Sequence, residues 1–128
     1  MSARPLIMKT QNRNTGRLGE QIAEGFLFKK GFELIERNFS TRFGEIDLIC
    51  RDKDILVFVE VKTKRSLDFG TPEEMFTQNK RRRVMNMGYV YTKGKEVKCR
   101  IDMIAILLDE NNNLLSLKHY ENLTNLDV

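Results

Sequence analysis

Two carboxylates and a lysine stand where a water-soluble chain has least reason to put them. Asp47 falls inside Gly44-Glu-Ile-Asp-Leu-Ile49, and Glu60 and Lys62 close the apolar run Leu56-Val-Phe-Val-Glu-Val-Lys62. A carboxylate in an apolar strand is costly unless it is paired or bound to a cation. Two of them brought within a few ångströms repel each other unless a cation lies between. With oxygen donors and no histidine or thiolate beside them, the ion that suits these groups is hard, Mg2+ or Mn2+. Such an ion lowers the pKa of a bound water and offsets charge on a phosphate in the transition state. Lys62 beside it would orient the water or stabilise the developing negative charge. Asp47, Glu60 and Lys62 are therefore candidate catalytic residues for phosphodiester hydrolysis, with Asp47 and Glu60 as metal ligands. The competing reading of Glu60 and Lys62 is a buried ion pair without chemistry.

The elements around these residues follow from hydrophobic period. Leu18, Ile22, Ala23, Phe26 and Leu27 recur at helical spacing, which predicts a helix from about Thr15 to Lys30, with Asn14 or Thr15 as N-cap and Gly31 as its stop. Glu20 lies at the edge of that apolar face, either reaching the same ion as a further catalytic acid and ligand or flanking it in solvent. Phe32–Arg37 reads as a strand, Asn38–Gly44 as a turn, Glu45–Arg51 as a second strand and Asp52–Asp54 as a hairpin turn. Ile55–Thr63 is apolar at nearly every position and so central, covered on both faces. Alternation places Glu60 and Lys62 on one side with Leu56 and Phe58, and Asp47 with Glu45, Ile49 and Arg51.

After a loop at Arg65–Gly70, Thr71-Pro-Glu-Glu74 reads as a capping box opening a helix that runs to about Thr92. Val97–Leu108 and Leu114 to about Tyr120 are the last strands, joined by the polar turn Asp109–Asn113. The order α-β-β-β-α-β-β predicts an α/β protein with a mixed five-stranded sheet flanked by helices. Residues 1–12 read as a flexible tail and 13–128 as one domain.

On the second helix Phe76, Val84, Met87 and Tyr91 form the expected buried stripe, with Lys80 in its middle. Lys80-Arg81-Arg82-Arg83 spans roughly 300° of helix, so the four cannot all face away from the sheet. Lys80 is expected to point inward, toward polar groups or a phosphate-binding groove, unless its stem snorkels along the core edge. Arg81 and Arg82 read as solvated or phosphate-contacting charges, and Gln78 as a hydrogen-bond donor to phosphate or an exposed residue. Lys9, Arg13 and Arg17 make a looser basic cluster. Arg17, Gln78 and Lys80 to Arg83 are thus the candidate nucleic-acid-binding residues. Arg100 and Asp102 share a strand face and are expected to pair with each other or with neighbours. His119, the sole histidine, shows no partner in the sequence.

The totals set the frame. At 128 residues the chain has room for one core, and its net charge of +4 and pI of about 9.2 suit a polyanion partner. An apolar fraction of 41% with 31% charged residues fits a globular rather than a disordered chain. The longest strictly apolar run, Met103–Leu108, is far short of a membrane span, and Met1–Met8 lacks the apolar core of a secretory signal. Cys50 and Cys99 have no metal-ligand spacing and read as small buried hydrophobes in a reducing compartment, hence a cytoplasmic address. No Ser/His/Asp or Cys/His set, phosphate loop or zinc pattern is present.

With these residues in hand, the chain resembles the YraN-like family of small bacterial proteins within the restriction-endonuclease-like, or PD-(D/E)XK, superfamily, related to archaeal Holliday junction resolvases. The matching stretches are Gly16–Ala23, Gly31–Asn38, Gly44–Ile49, Val57–Thr63, Phe69–Pro72 and Arg100–Asp102, which together span roughly residues 15 to 105. The resemblance implies a restriction-endonuclease-like mixed sheet and a DNA substrate. It also implies Asp47 and Glu60 as ligands of Mg2+ or Mn2+, Lys62 as the catalytic lysine and Glu20 as an additional acid. Gly44-Glu45 stands where the name-giving motif would have a proline ahead of its acid, Lys64 replaces an arginine and Ile101 an aromatic. None of these removes an expected ligand. The function expected is a metal-dependent DNA endonuclease acting on branched or processed DNA, as a homodimer if it cuts two strands symmetrically. The alternative is a non-catalytic nucleic-acid-binding or assembly module on the same fold.

Overall fold

A strand that is apolar on both faces must be covered on both, and the two helices do this. The computed structural model describes residues 6–124, with side chains from Asn14 onward. Helices α1 (Leu6–Lys29) and α2 (Gln78–Tyr91) pack on opposite faces of a sheet ordered β1-β2-β3-β4-β5. Its strands are β1 Glu33–Thr41, β2 Gly44–Asp52, β3 Ile55–Lys64, β4 Cys99–Leu108 and β5 Leu114–Tyr120. The first three form an antiparallel meander, β4 runs parallel to β3, and β5 returns antiparallel to β4. The sheet is therefore mixed and open, and α2 lies in the crossover that a parallel pair requires.

Alternation along β3 divides the core in two. Val57, Val59 and Val61 join Ala23 and Leu27 of α1, with Leu18, Ile22 and Phe26 packed at the edge. Leu56 and Phe58 join Val84 and Met87 of α2, together with Ile101 and Met103 of β4. Glycines let both helices come close. A Cβ on Gly88 would lie 2.5 Å from the ring of Phe58, and one on Gly19 would collide with Thr63 Oγ1. Phe58 is almost fully buried, so its ring has nowhere to move. Gly88→Ala and Gly19→Ala are each expected to lower stability by about 1–3 kcal/mol, the usual cost of overpacking. Urea unfolding checks this, and Phe58→Leu should restore part of the loss in the Gly88 variant while leaving the Gly19 variant unrelieved.

Several boundaries differ from expectation. Helix α1 begins at Leu6, so residues 6–12 are helical backbone where a tail was expected. They carry no amphipathic signal, yet nothing after Pro5 stops a helix propagating backward from Thr15, since adding a turn to a formed helix is easy. Strand β1 continues past Arg37 to Thr41, leaving only Arg42 and Phe43 as the turn. Pairing with β2 overrides the weak local preference of Asn-Phe-Ser-Thr. Of the expected capping box only the Thr71 half is seen, with the Glu74 N–H donating to Thr71 Oγ1, and it opens only the 3-10 turn Glu73–Met75. The buried Phe76 breaks the turn, and α2 starts at Gln78 with Thr77 accepting from the Lys80 N–H. Strand β4 begins at Cys99, not Val97.

Both cysteines are free; Cys50 is buried, and burial pushes its thiol up to about 12. Cys99 corrects the expectation of two buried thiols, since it is exposed at the first position of β4. No helix among the described residues is long and apolar enough to cross a membrane.

Candidate active site

Strands β2 and β3 pair from Asp52 opposite Ile55 to Leu48 opposite Val59, and there the ladder ends. The next step of that register would face Asp47 with Glu60. Instead, the Val61 N–H donates to Asp47 Oδ2 at 2.8 Å, a side chain taking the place of a strand carbonyl. The pleat of β2 also changes phase here. Ile46 packs on the α2 side while Leu48 and Cys50 pack on the α1 side, although residues two apart on a regular strand share a face. Asp47 sits at this twist, where the two strands part.

Strand β1 is irregular at the same level. Arg37 pairs with Leu48 and Phe39 with Ile46, but Asn38 between them drops out of the ladder with φ 50°. Asparagine tolerates this left-handed conformation better than most residues. Its Nδ2 donates to Glu20 Oε1 and to Glu45 Oε1, both at 2.9 Å. Asn38 thereby ties α1 to β2 and holds two acids beside Asp47. The sequence reading placed Asn38 in a turn and gave Glu45 no role, so both are additions.

Charge and burial act together in this cluster. Burial raises the Asp47 carboxyl most, and the nearby Glu60, Glu20 and Glu45 raise it further against the opposing Val61 N–H, pushing it up to about 8. Glu60 is likewise raised, chiefly by burial; Lys62 and Lys80 pull it down, while Glu45 and Glu20 add to the rise. Glu20, Glu45 and Glu60 thus act on Asp47, and Lys62 and Lys80 act on Glu60. Glu60 and Lys62 extend the face of β3 that holds Leu56 and Phe58, which lies toward α2.

The basic run on α2 divides by exposure. Lys80 and Arg81 are half-buried, while Arg82 and Arg83 are exposed. Lys80 acts on Glu60, in agreement with an inward position, and Arg81 departs from the expected solvated charge because its Nε is enclosed without a hydrogen-bond partner. Gln78 is half-buried on the same turn, and Arg17 is exposed on α1. Among the described residues, no group of three or more His, Cys, Asp or Glu side chains is already gathered as a metal cage. Asp47 and Glu60 nonetheless fit a hard cation, being half-buried oxygen donors that repel each other, and Glu20 and Glu45 are each engaged by Asn38 through one oxygen.

A second polar cluster lies on the α1 side of β4. Asp102 is fully buried and accepts from Arg100 Nε (2.9 Å), His119 Nε2 (2.8 Å) and the Asn122 N–H (3.0 Å). Arg100 also pairs with Asp52 at 3.1 Å. The Arg100–Asp102 pair was expected; His119 was expected to lack a partner and has two. Lys30 Nζ donates to its Nδ1 (2.7 Å), leaving the Nε2–H to donate to Asp102. Phe26 and Phe32 meet the imidazole edge-on. The hydrogen-bond partners come from just past the end of α1 and from β4, too distant in sequence for any local pattern to show.

These features define a mixed α/β protein in which carboxylates and lysines gather where two central strands part. The chain belongs to the family described as Uncharacterised protein family UPF0102, whose profile matches residues 19–106. That span holds Glu20, Asn38, Asp47, Glu60, Lys62 and Lys80. The chain is 40% identical over 114 residues to the UPF0102 protein of Dictyoglomus turgidum, covering 87% of this chain and 97% of that one. It is 40% identical over 108 residues to the UPF0102 protein of Syntrophomonas wolfei, covering 82% and 94%. For the UPF0102 protein of Syntrophus aciditrophicus the identity is 41% over 102 residues, covering 77% and 80%.

Proposed function

We propose that this protein is a metal-dependent DNA endonuclease of the restriction-endonuclease-like superfamily, acting in the cytoplasm on branched or processed DNA. The observation that carries the reading is the placement of Asp47 and Glu60 at the parting of β2 and β3, with Lys62 and Lys80 acting on the same acid. Half-buried acids that repel each other are costly unless a proton or a cation lies between them, which supports a metal-binding role. Asp47 and Glu60 would hold Mg2+ or Mn2+, with Glu20 as an additional acid. When bound, the ion would supply an activated water and offset charge on the phosphate. Lys62 lies on the strand of Glu60 and would orient that water or stabilise the charge that develops. Asn38 positions Glu20 and Glu45. Lys80 and Arg81 to Arg83, flanked by Gln78 and Arg17, would hold phosphates. Symmetric cutting of two strands would require a homodimer.

The test is cleavage of labelled single strands, duplexes, flaps and four-way junctions with Mg2+, Mn2+ or EDTA. Metal-dependent cutting is expected, reduced at least about 100-fold in Asp47→Ala and Glu60→Ala while DNA binding is largely kept. If about four basic residues meet phosphates, log affinity should fall against log salt with a slope near −3.6. Variants that cut as fast as wild type would overturn the assigned site. Salt-sensitive binding with no cutting of any substrate would instead establish the non-catalytic module.

A further inference from the structure

The turn between β1 and β2 holds an aromatic ring in solvent on a rigid base. Phe43 is 64% exposed, and the guanidinium of Arg42 lies over its ring, 4.8 Å from the centroid. The turn itself is fastened. The Phe43 N–H donates to Thr41 Oγ1 (3.1 Å), and that hydroxyl donates to Sδ of Met87, a buried residue of α2. A single exposed ring is ordinary in itself; the guanidinium over its face and the fastened backbone of its turn set this one apart. The other exposed rings lack this setting. Phe28 borders a cavity of about 410 Å3 beside α1, Tyr89 lies against Gly94, and Phe69 sits in the loop after β3.

The position of the ring is informative. Strand β2 leaves the turn at Gly44 and reaches Asp47 four residues after Phe43. At about 3.3 Å per residue the backbone of Phe43 stands roughly 13 Å from that of Asp47, or about four base steps along one DNA strand. Helix α2, against which the turn is fastened, carries Lys80 to Arg83. A ring backed by a cation, on the turn that leads into the acid-bearing strand, matches a nucleobase, which presents a flat π face above a charged backbone. In an uninterrupted duplex those faces are covered by neighbouring base pairs. An unpaired nucleotide offers one freely.

We propose that Phe43, backed by Arg42, is a stacking pin that receives an unpaired base a few nucleotides from the bond to be cut. DNA with unpaired nucleotides, such as a flap or single strand, is then the substrate class. This rests on the nuclease reading of the Asp47 and Glu60 site. The pin adds affinity for the unpaired segment, while Lys80 to Arg83 hold either kind of DNA through its backbone.

The experiment is binding in EDTA, where no cutting complicates it, to a labelled duplex bearing a single-stranded flap and to the same duplex without one. Phe43→Ala is expected to bind the flap DNA roughly 5- to 150-fold more weakly and the plain duplex as wild type does. Phe43→Trp should keep the preference, and because the chain has no tryptophan its indole emission is a private reporter, quenched by the flap alone. Equal binding by Phe43→Ala and wild type, or an equal loss on both DNAs, would overturn the pin. Binding to neither DNA by wild type would overturn it as well. Cleavage by wild type and by Asp47→Ala, measured separately with Mg2+, distinguishes the two failures. Cutting with no effect of Phe43 removes only the pin; the flap-selective loss without any cutting removes only the nuclease.

Discussion

In EDTA at pH 8, Asp47→Asn is expected to unfold at a higher temperature than the wild type, although the same change removes metal-dependent cutting. Asp47 is half-buried at the parting of β2 and β3, where lost solvation, Glu60, Glu20 and Glu45 push its carboxyl up to about 8. Between the ordinary value near 4 and that raised value, the folded chain holds a proton that the unfolded chain releases. Stability therefore falls as pH rises through this window, and levels off above it. An asparagine carries no charge to be buried or repelled, and its side-chain oxygen can still accept from the Val61 N–H. The gain at pH 8 is expected to be about 1–3 kcal/mol, and near pH 4 the two proteins should converge. A thermal scan at both pH values checks this; a variant less stable than wild type at pH 8 would show that Asp47 is satisfied by groups other than a cation. Added Mn2+ should raise the wild-type midpoint and leave that of Asp47→Asn where it was, because an ion bound only by the folded state stabilises it.

Asp102→Ala is expected to have the opposite sign and a larger size. Asp102 is fully buried and answers Arg100, His119 and the Asn122 N–H together. Its removal leaves a guanidinium only 12% exposed and an imidazole only 3% exposed without their shared acceptor. Breaking a buried charged pair from one side costs about 3–5 kcal/mol, a large share of a small domain's stability. Burial by itself would raise the Asp102 carboxyl, but the hydrogen bonds from His119, Arg100 and Asn122 outweigh it and hold the group below its ordinary value. A lowered carboxylate contributes stability that is complete above about pH 4 and is lost as pH falls through the folded value. The gap between wild type and Asp102→Asn in urea midpoint should therefore be widest near pH 7 and narrow toward pH 3. A gap that stays constant with pH would mean that the carboxylate's charge contributes nothing and that only its shape matters.

The sequence discloses whatever is written in local period and misses what depends on partners. Leu18 to Leu27 show the buried face of α1, and the apolar run from Ile55 shows β3 as central, because each pattern is repeated over several turns or pleats. Asp47, Glu60 and Lys62 stand out by being charged inside those patterns. Lys80 is visible because four consecutive cations cannot share one helix face. Asn38 is different: its left-handed backbone and its two acids come from α1 and β2 closing around it, and nothing in Arg-Asn-Phe announces them. His119 looks solitary until β5 lies against β4 and the end of α1. The start of α2 was misplaced for a related reason, since Thr71 and Thr77 both offer caps and the burial of Phe76 decides between them.

The grip of both helices on β3 has a mechanical consequence for the site. Gly88 seats α2 on Phe58 and Gly19 seats α1 on Thr63, so the strand is held just before Glu60 and just after Lys62. Glu60 cannot retreat from Asp47 by sliding its backbone, and Asp47 is tethered to the same strand through Val61. The two acids are thus held on preorganised backbone: a proton or a cation can relieve their repulsion, whereas sliding of the strand cannot. Whatever adjusts to an incoming substrate must then be the long cations of α2, while the strands that carry the acids stay fixed as the anvil.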